Sequence, residues 1–114
     1  MTIAFISHAD CAMHETTSYH PDTAERLAAI HDRLIASGLE MIMHFYDAPM
    51  VSVEQLCRVH DADYVSEIFQ KLQDNERVWL DADTLMVSAS LTAAQRGAGA
   101  VVKAVDLVMS QDAN

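Results

Sequence analysis

A long helix predicted near the C-terminus most constrains how this chain can fold. From Ala89 to Met109, apolar residues recur at steps of three and four, which is the period of one helix face. These residues are Leu91, Ala94, Ala98, Val101, Val105 and Val108, and a second stripe of small residues comprises Ala93, Gly97, Ala100 and Ala104. A helix with two such stripes is expected to pack against neighbours on two sides. A chain of 114 residues does not easily provide enough other elements to cover both faces.

Strands and helices alternate in the first half of the chain. Thr2–Ser7 and Met41–Tyr46 are short apolar runs that predict buried strands. Between them, Asp22 is the expected N-cap of a helix with Glu25 in the capping-box position, and Gly38 is placed to end that helix. Alternation of this kind predicts an α/β fold with a parallel sheet.

Two further helices and a connecting loop are predicted before the long helix. Ser52 caps a short helix with Gln55 in the box position, and Asp61 caps the next helix. The following residues form a loop with a short extended piece at Val78–Leu80. Because a sheet of only two strands is marginal alone, the chain is expected to be the start of an α/β domain.

Composition excludes several classes of function. The net charge is −10 with only seven Lys and Arg, which argues against binding nucleic acid. No run approaches the ~20 apolar residues of a membrane span, and no signal peptide is visible. Cys11 and Cys57 are too few for a disulfide framework. We therefore expect a cytoplasmic protein with reduced thiols and no membrane partner.

The polar segment from His8 to Pro21 is predicted to be a loop, and it contains four potential zinc ligands: His8, Cys11, His14 and His20. These residue types suit a structural zinc site, but the segment has a single cysteine and therefore no C-x2-C pair. Histidines packed or exposed in a loop are the commoner interpretation. Both remain open from the sequence.

Three charged residues are further candidates for a site. Asp81 and Asp83 can bind a cation or accept hydrogen bonds from a ligand, although such pairs are more often turn-forming side chains. Arg26 lies in the first turn of its helix, where the helix dipole disfavours a cation; this position points to a specific partner, although arginines on helix surfaces are common. Residue chemistry alone reveals no complete active site.

Three segments together resemble the histone deacetylase and acetylpolyamine amidohydrolase family. They are "HPDTAERLAAIHDRL", "VHDADYVSEI" and "DADTLMVSASLTAAQRGAGAVVKAVDLVM", in the order and spacing of that family. The resemblance implies an arginase-like fold with a parallel sheet and one catalytic metal, usually zinc. That metal polarises an amide carbonyl and activates water, and a histidine pair acts as base and acid on acetyl-lysine or acetylated polyamines.

The same resemblance assigns roles to four residues and leaves the catalytic centre out. Arg26 matches an arginine in the family's internal acetate channel, and His20 and Pro21 match the loop beside it. Asp83 matches a rim position that holds the substrate backbone. The family's R-P-P-G-H-H-type motif and metal ligands do not occur in residues 1–114. We expect a partial deacetylase-like domain without catalytic residues, metal ligands or cofactor, inactive alone.

The resemblance also implies association. Thr2–Ser7 would present an unpaired strand edge and the long helix an apolar face, both of which favour a homo-oligomer. Two alternative functions remain open: a non-catalytic interaction module that retains part of the fold, and a small zinc-binding domain using the His8–His20 loop.

Overall fold

The computed structural model describes residues 2–113. Its elements are β1 (Ile3–Ser7), α1 (Glu25–Ala36), β2 (Met43–Asp47), α2 (Val53–Leu56), α3 (Ala62–Asp74), β3 (Arg77–Trp79), β4 (Leu85–Val87) and α4 (Ser88–Met109), with 3-10 helices at Ala9–Met13 and Leu39–Ile42. Strands β1 and β2 pair in parallel, with Phe5 opposite Phe45. This arrangement confirms the predicted α/β class, with α1 on the connection between the two parallel strands.

The start of α1 differs from the sequence prediction. The helix begins at Glu25 with Ala24 as N-cap, and no side chain caps it. Asp22 is not the cap because its carboxylate contacts Arg26 instead. Hydrogen bonds from the backbone N–H of Glu25 and from the side chain of Thr23 lower the pKa of the Glu25 carboxyl. The helix is followed by Gly38 in the left-handed conformation, as predicted.

The predicted caps of the next two helices are confirmed. Ser52 and Gln55 form a complete capping box at α2, and the Asp61 carboxylate accepts the backbone N–H groups of Asp63 and Tyr64 at α3. Strand β4 was missed by the sequence analysis. It pairs with β3 in an antiparallel hairpin that brings the Asp81–Thr84 turn to the start of α4.

Two other segments also depart from the sequence prediction. The segment from His8 to Pro21, expected to be an irregular loop, contains the 3-10 helix Ala9–Met13. His8 is its N-cap, because its ring accepts the backbone N–H of Asp10. Strand β2 begins at Met43 rather than Met41, since a second 3-10 helix precedes it.

Helix α4 packs against β1 and the first 3-10 helix, and it organises the fold. Gly99 is required where α4 meets the loop after β2: a Cβ atom there would lie 1.8 Å from the carbonyl oxygen of Pro49. Leu107 is buried further along the same helix. Close packing therefore accounts for one of the two glycines in this helix.

The molecule is thinner and more exposed than a compact domain of its size. Its radius of gyration is 15.9 Å, whereas a compact chain of this length has about 13 Å. No residue of α1 is buried, and Ile30 on its predicted apolar face is half exposed. Apolar faces are thus left uncovered by the described residues.

Candidate functional site

A cleft of about 560 Å³ lies between the segment after β1, the β3–β4 hairpin and the first turns of α4. A second, smaller cavity of about 120 Å³ adjoins the N-terminus of α1. Cys11, His14 and Asp22 line both spaces. His20 and Asp83 line only the larger cleft of the two. The two cavities therefore meet at a shared wall that the first 3-10 helix and the following loop provide.

His20 and Asp83 form a pair at the exposed side of the large cleft. The ring Nδ1 of His20 accepts the backbone N–H of Asp22 at 3.0 Å, so the proton of the neutral ring lies on Nε2. That Nε2 is 3.2 Å from Asp83 Oδ1. The Asp83 side chain remains 88% exposed, so its carboxylate retains acceptor capacity for a ligand.

Asp81, the alternative carboxylate in the same turn, is used internally. Its two oxygens accept the backbone N–H of Asp83 at 2.8 Å and the hydroxyl of Thr84 at 3.0 Å. Both hydrogen bonds lower the pKa of the Asp81 carboxyl, and the bond from the Asp83 backbone has the larger effect. Asp81 is therefore the turn-forming residue, and Asp83 is the carboxylate available to a ligand.

Asp22 lies between His14 and Arg26 at the small cavity. One carboxylate oxygen accepts from Arg26 Nη1 at 3.1 Å, and the other lies 3.5 Å from His14 Nε2. Arg26 is 64% exposed and lines the cavity. Its Nη1 binds Asp22, which leaves the other guanidinium nitrogens as donors for a ligand. A small carboxylate can therefore approach the arginine next to Asp22.

His14 connects this loop to the beginning of α4. Ser90 Oγ accepts the backbone N–H of Val87 and lies 2.7 Å from His14 Nδ1. Because the Asp22 carboxylate that faces Nε2 can only accept, a neutral His14 ring carries its proton on Nε2, and Nδ1 then accepts the hydroxyl proton of Ser90. The sequence analysis missed this link between residues 76 positions apart.

Arg96 is a second residue that the sequence analysis missed. Its guanidinium donates to Asp10 Oδ2 at 2.9 Å and to the carbonyl oxygen of Ala48 at 2.8 Å. It thereby ties α4 to the 3-10 helix behind the cleft and to the end of β2. Arg96 positions the cleft wall and lines neither of the two cavities described above.

Comparison with known proteins gives the family. The model of the histone deacetylase domain matches residues 20–114, which is most of the chain. The chain belongs to the histone deacetylase family. The histone deacetylase-like amidohydrolase of Pseudomonas aeruginosa is 34% identical over 94 residues, which are 82% of this chain and 24% of that protein. The chain thus spans about a quarter of this curated relative.

A solved structure confirms the fold of this histone deacetylase family member. The crystal structure of the HDA15 HD domain superposes with a TM-score of 0.86 at 18% sequence identity. The superposition covers 100% of this chain and 34% of that chain. The fold is therefore the arginase/deacetylase-like α/β fold, and the matched part is about a third of a larger chain.

The site residues predicted from the family resemblance occupy two ends of one region. His20 and Asp83 are brought together at the large cleft, while Arg26 lies at the small cavity. Pro21 is exposed between His20 and Asp22. Asp22 and His14, to which the family resemblance assigned no role, form the connection between the two ends.

Residues 2–113 do not group their potential ligands around one point where the metal expected from the family could bind. His8, His14 and His20 each contact a different partner, namely Asp10, Ser90 and Asp83. Within residues 2–113, no three His, Cys, Asp or Glu side chains are grouped to hold a metal ion. The residues described here therefore do not fit a catalytic zinc. No helix among them is long and apolar enough to cross a membrane.

Proposed function

We propose that this chain supplies the substrate rim and the acetate channel of a deacetylase-like amidohydrolase that acts on acetyl-lysine or acetylated polyamines. The observation that carries this proposal is the pair of adjoining cavities. The larger has the exposed carboxylate of Asp83 at its side, and the smaller has the guanidinium of Arg26. A substrate amide and a carboxylate product need groups of these two kinds.

Asp83 is proposed to hold the substrate. Among residues 2–113 its carboxylate accepts one side-chain contact, from His20, and the Asp83 side chain is 88% exposed. A carboxylate of this kind can accept hydrogen bonds from the backbone N–H groups of an acetylated peptide or from the amines of a polyamine. The net charge of −10 also favours cationic substrates over anionic ones.

Arg26 is proposed to bind the acetate that hydrolysis releases. The small cavity of about 120 Å³ exceeds the ~30 Å³ share of a water molecule several-fold, so a two-carbon carboxylate fits. Acetate would bind the edge of the guanidinium that Asp22 leaves open. His14, 3.5 Å from the other Asp22 oxygen, helps to hold Asp22 in place.

The hydrolytic step itself is proposed to need residues outside these 114, and zinc is proposed as the metal of the complete enzyme. Zinc would polarise the amide carbonyl and activate water. Residues 1–114 contain no R-P-P-G-H-H-type histidine pair. We therefore expect no turnover by the chain alone, and we propose that its own residues orient substrate and bind product.

A hybrid enzyme tests this function. Residues of this chain would replace the matched 94-residue stretch of the Pseudomonas aeruginosa amidohydrolase, and acetyl-lysine and acetylpolyamine substrates would be assayed with zinc. We expect the folded hybrid to be active and Asp83→Ala to raise its KM about tenfold, which is about 1.4 kcal/mol of substrate binding. Asp74→Ala, at an acidic residue outside both cavities, is the matched control. An unchanged KM in the Asp83 variant would contradict the assigned role.

The chain alone provides the second arm of this test. The purified 114-residue protein is expected to give no product with added zinc, measured by the release of acetate. Turnover that scales with the protein and survives further purification would show that these residues contain a complete active centre.

A further inference from the structure

A third cavity, of about 90 Å³, adjoins the large cleft and shares His20 and Asp83 with it. Its other lining residues come from the β3–β4 hairpin and from the loop before α1, and they are Thr16, Thr17, Trp79, Ala82 and Leu85. The lining thus offers a carboxylate, two hydroxyls and an indole, and it includes no lysine or arginine. A cavity with these groups is suited to a cation rather than to an anion.

Trp79 is the aromatic side chain of this third cavity. It ends β3 opposite Leu85, and it is 56% exposed. Among residues 2–113 the indole forms no ring–ring pair with another aromatic side chain. An indole binds a cation over its face more strongly than the rings of tyrosine or phenylalanine do. The position of Trp79 in the cavity wall therefore makes it available to a cationic ligand.

Asp83 supplies a negative charge to the same cavity. Its backbone N–H donates to Asp81 at 2.8 Å, and the ring Nε2 of His20 lies 3.2 Å from Asp83 Oδ1. Neither contact uses Asp83 Oδ2, so this oxygen can accept from a ligand. A charged N–H donor next to a carboxylate makes a stronger hydrogen bond than a neutral donor does.

We infer that the third cavity is a subsite for an alkylammonium group of the substrate. The inference rests on the proposed role of Asp83 at the substrate rim and adds a contact that the acetyl amide itself does not make. The cavity exceeds the ~30 Å³ share of a water molecule about threefold, so a terminal CH2–NH3⁺ group fits. Such a group occurs in the free amine of an acetylated polyamine and in a lysine beside acetyl-lysine in a peptide.

Trp79 is the only tryptophan of the 114 residues, so its fluorescence reports directly on this subsite. The purified chain would be titrated with 1,4-diaminobutane at constant pH and ionic strength, with 1,4-butanediol as the neutral control. We expect a saturable change with the diamine, at a dissociation constant of about a few millimolar, and none with the diol.

Two substitutions of acidic residues locate the diamine. Asp83→Asn should weaken its binding at least about fivefold, because the charge of the acceptor is lost. Asp74→Asn, at an acidic residue outside the third cavity, is the matched control and should change the dissociation constant less than about twofold. Far-ultraviolet circular dichroism establishes that both variants are folded. The absence of a saturable change, an equal response to the diol, or equal effects of the two substitutions would overturn the subsite.

The hybrid amidohydrolase distinguishes the two sources of the ammonium group. KM would be measured for an acetylated diamine and for an acetyl-lysine peptide with a neighbouring lysine, each beside a neutral analogue with methyl in place of the ammonium. Trp79→Leu should raise KM at least about threefold for one or both charged substrates and leave the neutral analogues within about twofold. Trp79→Phe, which keeps an aromatic ring, should restore most of the loss. A rise confined to the diamine assigns the subsite to polyamines, and one confined to the peptide assigns it to the neighbouring lysine.

The control in the hybrid is Tyr64→Leu, at a half-exposed aromatic residue outside the third cavity. Equal rises in KM for charged and neutral substrates, or equal effects of Tyr64→Leu and Trp79→Leu, would overturn the subsite. The proposed rim fails separately: an unchanged KM in Asp83→Ala removes the rim role, whereas diamine binding to the isolated chain tests the subsite without turnover.

Discussion

Two arginines of this chain differ in what surrounds them. Arg96 is 22% exposed and binds the carboxylate of Asp10 and the carbonyl of Ala48, both distant in sequence. Arg26 is 64% exposed, and its one ion pair within residues 2–113 is with Asp22, four residues earlier. The first arginine joins three segments of the fold, while the second is held locally beside a cavity. The comparison separates a residue that stabilises the fold from one that remains available to a ligand.

The largest expected effect is the loss of stability in Arg96→Met. Removing the guanidinium leaves the Asp10 carboxylate and the Ala48 carbonyl without their partner, which costs about 2–3 kcal/mol of unfolding free energy. Urea denaturation followed by circular dichroism measures the change. A loss below about 0.5 kcal/mol would remove the distinction between the two arginines.

Ser90→Ala is expected to have the next largest effect. The hydroxyl of Ser90 bonds both the His14 ring and the backbone N–H of Val87, so its removal should cost about 1–2 kcal/mol of unfolding free energy. Ser88→Ala, at an exposed serine of the same helix, is the control and should change stability by less than about 0.5 kcal/mol. Equal losses in both variants would show that the His14 link does not hold the cleft wall.

Arg26→Met is expected to leave stability nearly unchanged. The exposed contact with Asp22 is screened by water, so the change in unfolding free energy should stay within about 0.5 kcal/mol. The same urea experiment measures it beside Arg96→Met. A loss as large as that of Arg96→Met would make Arg26 a structural residue and weaken its proposed role in the channel.

The smallest expected effect concerns the pH dependence of the Asp81 turn. Its pKa is lowered in the fold, so the stability it confers is present above the ordinary aspartate pKa near 3.9 and is lost as pH falls through the lower, folded value. Carbon-13 NMR of the carboxyl groups should show a titration midpoint for Asp81 below that of an unfolded aspartate. Thr84→Val should raise this midpoint, and an unchanged midpoint would exclude the hydroxyl as a cause.

Local patterns predicted the parts of the fold that local physics determines. The capping box at Ser52 and the left-handed Gly38 depend on a few neighbouring residues, and both are confirmed. The period of α4 was visible for the same reason. Strand β4, by contrast, has only three residues and no alternation, so its pairing with β3 had no signal in the sequence.

The candidate site was predicted only where the family motif carried it. The resemblance selected Arg26, His20 and Asp83, but it did not reveal that His20 contacts Asp83. The pair of His14 and Ser90 joins residues that only the packing of α4 brings together. Asp22 was assigned to a helix cap because local rules ignore a competing partner, and the nearby guanidinium of Arg26 is that partner.

The most direct measurement compares Arg26→Met and Arg96→Met in the hybrid amidohydrolase, with the melting temperature and the kcat recorded for each. The account predicts that Arg26→Met lowers kcat about tenfold through slower acetate release while the melting temperature stays within about 1 °C. Arg96→Met should lower the melting temperature by several degrees. A hybrid in which Arg26→Met keeps full kcat, or in which it loses as much melting temperature as Arg96→Met, would contradict the account.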